Sequence, residues 1–274
     1  MRVLVCVKAV PGSTEVKMDP KTNTIVRDGG SAVVNPFDAS ALEVALRLKD
    51  AAAGAVTGAG EAAAAPVHVT VLSMGIPDTA RLLRDCIARG ADDALLLSDR
   101  AFAGADTLAT TYALSRGVEA LGGGFDLVLC GKMAVDGDTA QIGPELAGAL
   151  GVPCVTDVRA VLSRGAGALT VRRGSDEGEA TVEVALPAVI TVAREAAQLR
   201  MPSIAGVRAA EGTEVPVLTA EQAGADPARC GLAGSPTQVV RSFVPERAGE
   251  AEAVEGTAAE QAAALVDLFK GMGL

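Results

Sequence analysis

The residues best suited to chemistry lie between Leu127 and Leu150, LVLCGKMAVDGDTAQIGPELAGAL. An apolar run, Leu127 to Cys130, stops at Gly131. Mostly small or polar residues follow to Gln141, and then a helix-like apolar pattern. That order predicts a buried strand, a loop and a helix N-terminus, where backbone N–H groups lack intrahelical acceptors and the dipole is positive. Phosphate or pyrophosphate is the ligand chemistry such a junction suits. Gly131 and Gly137 permit tight turns and close backbone approach. Asp138 with Gln141 three residues on resembles a capping box, although the usual first residue is Ser or Thr. Pro144 falls early in the helix, where its missing N–H costs least. Asp136 and Asp138 put negative charge beside the anion site. They are compatible with it if they cap the helix or hold ribose hydroxyls while Thr139, Gln141 and backbone amides face the phosphate. The chain contains neither G-x-x-x-x-G-K-[ST] nor G-x-G-x-x-G. On residue chemistry alone, a nucleotide site and a structural loop both remain open.

The rest of the chain is chemically quiet. Its single histidine, His68, sits between valines and reads as a core or edge residue. Without a second histidine, a Ser-His-Asp or multi-histidine metal site can be built only if His68 serves. Cys6, Cys86, Cys130, Cys154 and Cys230 are scattered and never form C-x-x-C, which suggests buried thiols in a reducing compartment. Aromatic residues are 2% of the chain, with no Trp, and the formal net charge is −10. Base-stacking platforms need aromatics, and a nucleic-acid backbone repels an acidic surface, so nucleic acid is excluded as a partner. No run approaches the ~20 apolar residues of a membrane span. MRVLVCVK reads as a strand and not a signal peptide, so the expected compartment is the cytoplasm.

The elements that must position the loop follow from periodicity. Arg2 to Val7, Val67 to Ser73, Ala94 to Leu97, Leu127 to Cys130 and Val189 to Val192 read as buried strands. Helical spacing follows Asn35-Pro36-Phe37-Asp38, with Asp38 or Ser40 as cap, and recurs in ARLLRDCIARG, LATTYALSRGVEAL and Ala258 to Phe269. A hairpin is expected around PKTNTIVRDGG. Residues 51–65, nearly all Ala and Gly, read as a helix end or a loop insertion. Cys154 to Leu162, Ala168 to Arg173 and Ala180 to Leu186 alternate as an antiparallel excursion should. The predicted class is α/β: a doubly wound, mostly parallel, Rossmann-like sheet with that excursion and a C-terminal arm. In such sheets ligands sit outside the carboxyl ends of strands, which points to the loops after Val7, Ser73, Leu97 and Cys130. Residues 1–210 form the expected nucleotide-binding domain. Residues 211–274, broken by Pro216, Pro227, Pro236 and Pro245, read as an arm around a partner or a disordered tail.

Four motifs in order, NPFDASALEVALRLKD, SDRAFAGADTLATTYAL, GKMAVDGDTAQIGPELAGALGVP and GLAGSPTQVV, resemble the beta subunit of electron transfer flavoprotein, and the likeness runs from Met1 to the C-terminal helix. The resemblance implies a heterodimer with an alpha subunit that holds the electron-carrying FAD near the interface, the arm packing on that subunit. It implies an adenine nucleotide in this chain: AMP in the respiratory type, or a second FAD that exchanges hydride with NADH in the bifurcating type. By position, Cys6 and Ala9 would line the pocket, then Asn35, Pro36, Phe37 and Asp38, then Met74. Gly131, Lys132, Met133, Ala134, Val135, Asp136, Gly137, Asp138, Thr139, Ala140, Gln141 and Ile142 would wrap the phosphate and adenosine. DGDTAQIGP and AFAGADTLAT are closer to the bifurcating, nitrogen-fixation-linked branch, which would bring Asp106, Thr107 and Thr110 near the second flavin. The expected cofactor is therefore FAD rather than AMP.

The resemblance also implies partners: a flavin dehydrogenase such as an acyl-CoA dehydrogenase, and a quinone oxidoreductase or ferredoxin as acceptor. Family members often carry N-E-P-R-Y before a partner-recognition loop, about 193–208 here. This chain reads Arg194-Glu195-Ala196-Ala197-Gln198, which puts the partner's identity in doubt. Met201, flanked by Arg200 and Pro202, would be the apolar anchor, since methionine adapts to varied surfaces; the alternative is a Met tucked into its own core. A free-standing adenine-nucleotide sensor would suit the same loops but leaves GLAGSPT unexplained. An adenylating enzyme would need an S-G-G-x-D-S-type loop, which the chain lacks.

Overall fold

A computed structural model describes residues 1–12, 18–19, 24–25, 32–57, 65–241 and 253–273. They form two compact units, Met1–Gln238 and Val239–Leu274.

In chain order the strands are β1 Arg2–Cys6, β2 Ala9–Pro11, β3 Met18–Asp19, β4 Thr24–Ile25, β5 Ala32–Val34, β6 His68–Met74, β7 Asp93–Leu97, β8 Leu127–Gly131, β9 Cys154–Arg164, β10 Ala168–Ser175, β11 Gly178–Ala185, β12 Ala188–Val192 and β13 Val217–Leu218. The helices are α1 Pro36–Thr57, α2 Thr79–Ala88, α3 Thr107–Ala120, α4 Ile142–Leu150, α5 Ile204–Glu211 and α6 Ala258–Gly271. Among the described residues, nine strands make the main sheet in the order β11-β10-β9-β12-β8-β1-β6-β7-β13. From β9 to β13 every pairing is parallel; β10 and β11 are antiparallel. The α/β class, the mostly parallel sheet and the antiparallel excursion match the sequence expectation.

Alternation decides the layers, because successive strand side chains point to opposite faces. Val3, Val5, Val69, Val71, Leu127 and Leu129 pack with Leu42, Leu46 and Leu83 of α1 and α2. Leu4, Leu72, Val128 and Val189 pack with Leu114, Val118 and Leu146 of α3 and α4 on the other face. Both faces being covered, the central strands are apolar almost throughout, as parallel strands are.

Three local expectations change. Asp38 and Ser40 lie inside α1, and their side chains reach other segments instead of capping it. α1 continues through the Ala-rich stretch to Thr57; residues 58–64 lie outside the described residues. Residues 211–238, read as part of the arm, belong to the first unit, where β13 pairs with β7. The expected hairpin is represented by β3 paired with β4; its turn lies outside the described residues. In the second unit Thr257 caps α6 reciprocally with Glu260, a capping box. Among the described residues no helix is long and apolar enough to cross a membrane, and no cluster could hold a metal ion.

Leu129 is fully buried in β8, directly below the loop. Leu129→Ala should lower unfolding stability by about 3 kcal/mol, the usual cost of a buried cavity, read from urea denaturation with an unchanged m-value.

Candidate functional site

The winding of the sheet reverses between β1 and β8. The chain runs from β1 outward to β6 and β7, then returns to β8 on the other side of β1. Ligands of open α/β sheets bind in the crevice beyond the strand ends at such a point. Asp38, in the first turn of α1, bridges this crevice: Oδ2 accepts the Lys8 N–H at 2.8 Å and Oδ1 accepts the Gly131 N–H at 3.0 Å. Only glycine fits at 131, since a Cβ there would lie 2.6 Å from Phe37 Cβ and 2.8 Å from the Asp38 amide nitrogen. Asn35, fully buried, donates its own N–H to the Lys8 carbonyl at 2.9 Å. Its side chain donates to the Met133 carbonyl at 2.9 Å and accepts from Val135 N at 3.2 Å. Asn35, Asp38, Gly131, Met133 and Val135 therefore meet in one network. Burial lifts the Asp38 carboxyl to about 7, against the opposing pull of the Lys8 and Gly131 N–H groups, Asn35 and the Lys8 charge.

The loop's first aspartate is paired. Lys8 Nζ lies 2.6 Å from Asp136 Oδ1, so that charge is offset by a cation the sequence reading did not select. The loop closes on the Ala134 carbonyl, which accepts from Gly137 N at 3.1 Å and Asp138 N at 2.8 Å. Asp138 and Ala140 then adopt positive φ, 49° and 54°, which costs non-glycine residues on the order of 1 kcal/mol each. The capping-box expectation fails: Gln141 is the N-cap residue of α4 and makes no side-chain cap bond, and Asp138 is exposed. Among the described residues, no acceptor takes the N–H groups of Thr139, Ala140, Gln141, Ile142 and Gly143. Consecutive unpaired donors at a positive helix end are the arrangement an anion binds.

The α3 N-terminus lies beside this row. Thr107 Oγ1 is 3.5 Å from Gln141 Oε1, and the Glu145 carboxylate accepts from Thr107 Oγ1 at 3.0 Å and Thr111 Oγ1 at 2.9 Å, tying α3 to α4. Asp106 caps α3 by accepting from Ala109 N at 3.1 Å. It also accepts from Thr237 N at 3.2 Å and Oγ1 at 2.9 Å, and its own N–H donates to Ser235 Oγ at 2.8 Å. Thus AFAGADT and GLAGSPT, far apart in sequence, dock on each other. Lys8, Glu145, Ser235 and Thr237 were missed by residue reading. Glu145 carried a signal, an acid in the first turn of a helix.

The other expected residues differ in burial and in partners. Cys6 is buried in the cluster beneath α3 and α4, and its hydrogen bond with Cys130, together with burial, holds the Cys130 thiol well above its usual range. Lys132 turns to Asp157 at 3.2 Å. Ala9, Pro36 and Met74 are half-buried beside the strand ends, and Thr110 sits in the first turn of α3. Met201 is 82% exposed, while the Arg200 guanidinium is engaged within the chain by Glu43 and Asp50.

The Asp38 carboxyl ionises near 3.8 when unconstrained and near 7 in the fold. Between those values the folded state binds more protons than the unfolded one. Stability from this group is full below 3.8 and declines as pH rises through 7, by on the order of 4 kcal/mol. Unfolding measured from pH 4 to 8 should show that decline in the unsubstituted chain and a flatter profile in Asp38→Asn; parallel profiles would mean Asp38 ionises normally.

A family model described as "Electron transfer flavoprotein domain" matches residues 22–223. The chain is 44% identical over 256 residues to the electron transfer flavoprotein subunit beta of Megasphaera elsdenii, covering 91% of this chain and 90% of the relative. It is 42% identical over 271 residues to the caffeyl-CoA reductase-Etf complex subunit CarD of Acetobacterium woodii, covering 98% of each. Protein FixA of Azorhizobium caulinodans is 40% identical over 278 residues, covering 98% of this chain and 94% of the relative. The chain belongs to the electron transfer flavoprotein family, among its beta subunits.

Proposed function

We propose that this beta subunit pairs with an alpha subunit and binds a second FAD in the β1–β8 crevice, accepting hydride equivalents from NADH. The observation that carries the nucleotide reading is the row of unpaired N–H donors from Thr139 to Gly143 beside the α3 N-terminus. Two adjoining helix N-termini suit a pyrophosphate, which carries more charge than one end alone neutralises. The likeness to protein FixA and to a subunit of a caffeyl-CoA reductase-Etf complex supports this reading, because resemblance to the nitrogen-fixation-linked branch implies FAD rather than AMP.

In this reading the chain's own residues bind and orient. Thr139 to Gly143 hold the phosphates through backbone N–H groups. Asn35 and Asp38 fix the loop that presents them, and the Lys8–Asp136 pair keeps Asp136 from repelling the anion. Asp106, capping α3 and gripping Thr237, holds the far wall. When bound, the flavin supplies the redox chemistry, and the protein supplies position and electrostatics. The exposed Met201 surface is assigned to a flavin dehydrogenase such as an acyl-CoA dehydrogenase, with a quinone oxidoreductase or ferredoxin as acceptor. The arm, with exposed Leu265, Leu268 and Phe269 on α6, is assigned to the alpha subunit.

Co-expression with the alpha subunit should yield a yellow heterodimer holding two flavins, both bleached by NADH. One flavin per dimer with bound AMP overturns the FAD assignment, and a colourless homodimer binding only ATP would favour a sensor. Leu268→Ser with Phe269→Ser should weaken the heterodimer at least tenfold in a dilution assay; unchanged association would remove α6 from the interface.

A further inference from the structure

The segment after β12 is fastened to α1 and α2 at several points. Ser40 Oγ accepts from Ala197 N at 3.0 Å. Glu43, a buried carboxylate in α1, accepts from Arg200 at its backbone N (3.1 Å), Nε (2.9 Å) and Nη2 (3.1 Å). Arg200 Nη2 also lies 2.8 Å from Asp50 Oδ2, and Arg89 donates its guanidinium to the Arg200 carbonyl. The start of α5 sits so close to the end of α2 that the Ala88 carbonyl oxygen stands where a Cβ of Gly206 would be. Burial alone would raise the Glu43 carboxyl, but hydrogen bonds from Arg200 and Arg47 outweigh it and hold it below its usual range. Immediately beyond these ties the chain turns outward: Met201 is 82% exposed and Ile204 78%.

We propose that Arg200 is a positioning residue: its grip on Glu43 and Asp50 holds the loop so that Met201 and Ile204 stand as one rigid apolar knob toward the dehydrogenase, and its guanidinium does not touch that partner. This rests on the docking reading above. Arg200 spends its backbone N–H, its carbonyl and its fork of donors inside the molecule, and a cation already shared by two carboxylates has little left for a third. A planar fork fixed by a buried carboxylate makes a stiff stem. An apolar side chain on such a stem loses less conformational freedom on docking than one on a loose loop.

The test uses the intact heterodimer and a reduced acyl-CoA dehydrogenase as probe. Arg200→Gln should raise the KM for the dehydrogenase at least tenfold with kcat changed less than twofold. Amide hydrogen exchange at residues 197–203 should quicken at least tenfold, with β1 and β8 unaffected. Arg200→Lys, which keeps the charge but not the fork, should fall between. The salt dependence of KM should be the same with and without the guanidinium; a slope that disappears in Arg200→Gln would mean direct contact with the partner and overturns the proposal. Met201→Glu with Ile204→Glu separates the two layers. If that pair leaves KM unchanged, the docking reading fails. If the pair raises KM while Arg200→Gln changes neither KM nor exchange, only the clasp fails.

Discussion

Two parallel strand ends in a doubly wound sheet diverge into loops that have no reason to stay together, and here one buried carboxylate joins them. Asp38 accepts one N–H from the chain leaving β1 and one from Gly131 at the end of β8, at the boundary where the winding of the sheet reverses. Asn35 adds three hydrogen bonds between the same two segments. The arrangement works because Gly131 has no Cβ, so the α1 backbone can close on the strand end. The cost is a carboxyl pushed up to about 7 by desolvation. Everything the site does depends on this joint, since the loop bearing the unpaired N–H groups starts at Gly131.

Electrostatics around that loop are arranged so that its acidic residues do not oppose an anion. Asp136 is paired with Lys8, Asp138 stands exposed beyond the turn, and Glu145 is occupied between Thr107 and Thr111. The loop turns through two non-glycine residues at positive φ to reach the α4 N-terminus. Such strain persists only where surrounding contacts hold it, and those contacts are the Asn35 bonds and the Ala134 turn.

α1 serves two sites at once. Its first turn carries Asp38 at the crevice, and Ser40, Glu43 and Asp50 farther along hold the segment that presents Met201. A single packed helix is thus the common mount of the β1–β8 crevice and of the Met201 segment. The Arg194–Gln198 stretch lies over the same helix, where Arg194 and Gln198 line a hollow with Pro36 and Ser40.

The periodic features of this chain were legible in its sequence. Apolar runs such as Leu127 to Cys130 and alternation in Ala168 to Arg173 report burial, and burial on both faces leaves one readable composition, so the layers and the parallel sheet followed directly. The glycine-bounded loop after β8 was legible for the same reason, and the four motifs placed the chain in its family. Long-range pairing was not legible. Asp38 and Ser40 look like caps from their neighbours in sequence, but the Asp38 partners lie 30 and 93 residues away and the Ser40 partner 157. Lys8 is an ordinary surface lysine until the fold brings it to Asp136, and Arg200 an ordinary exposed arginine until α1 offers Glu43. Local sequence sets what each segment can bury; which polar groups then satisfy one another is decided only when packing brings distant segments within hydrogen-bond reach.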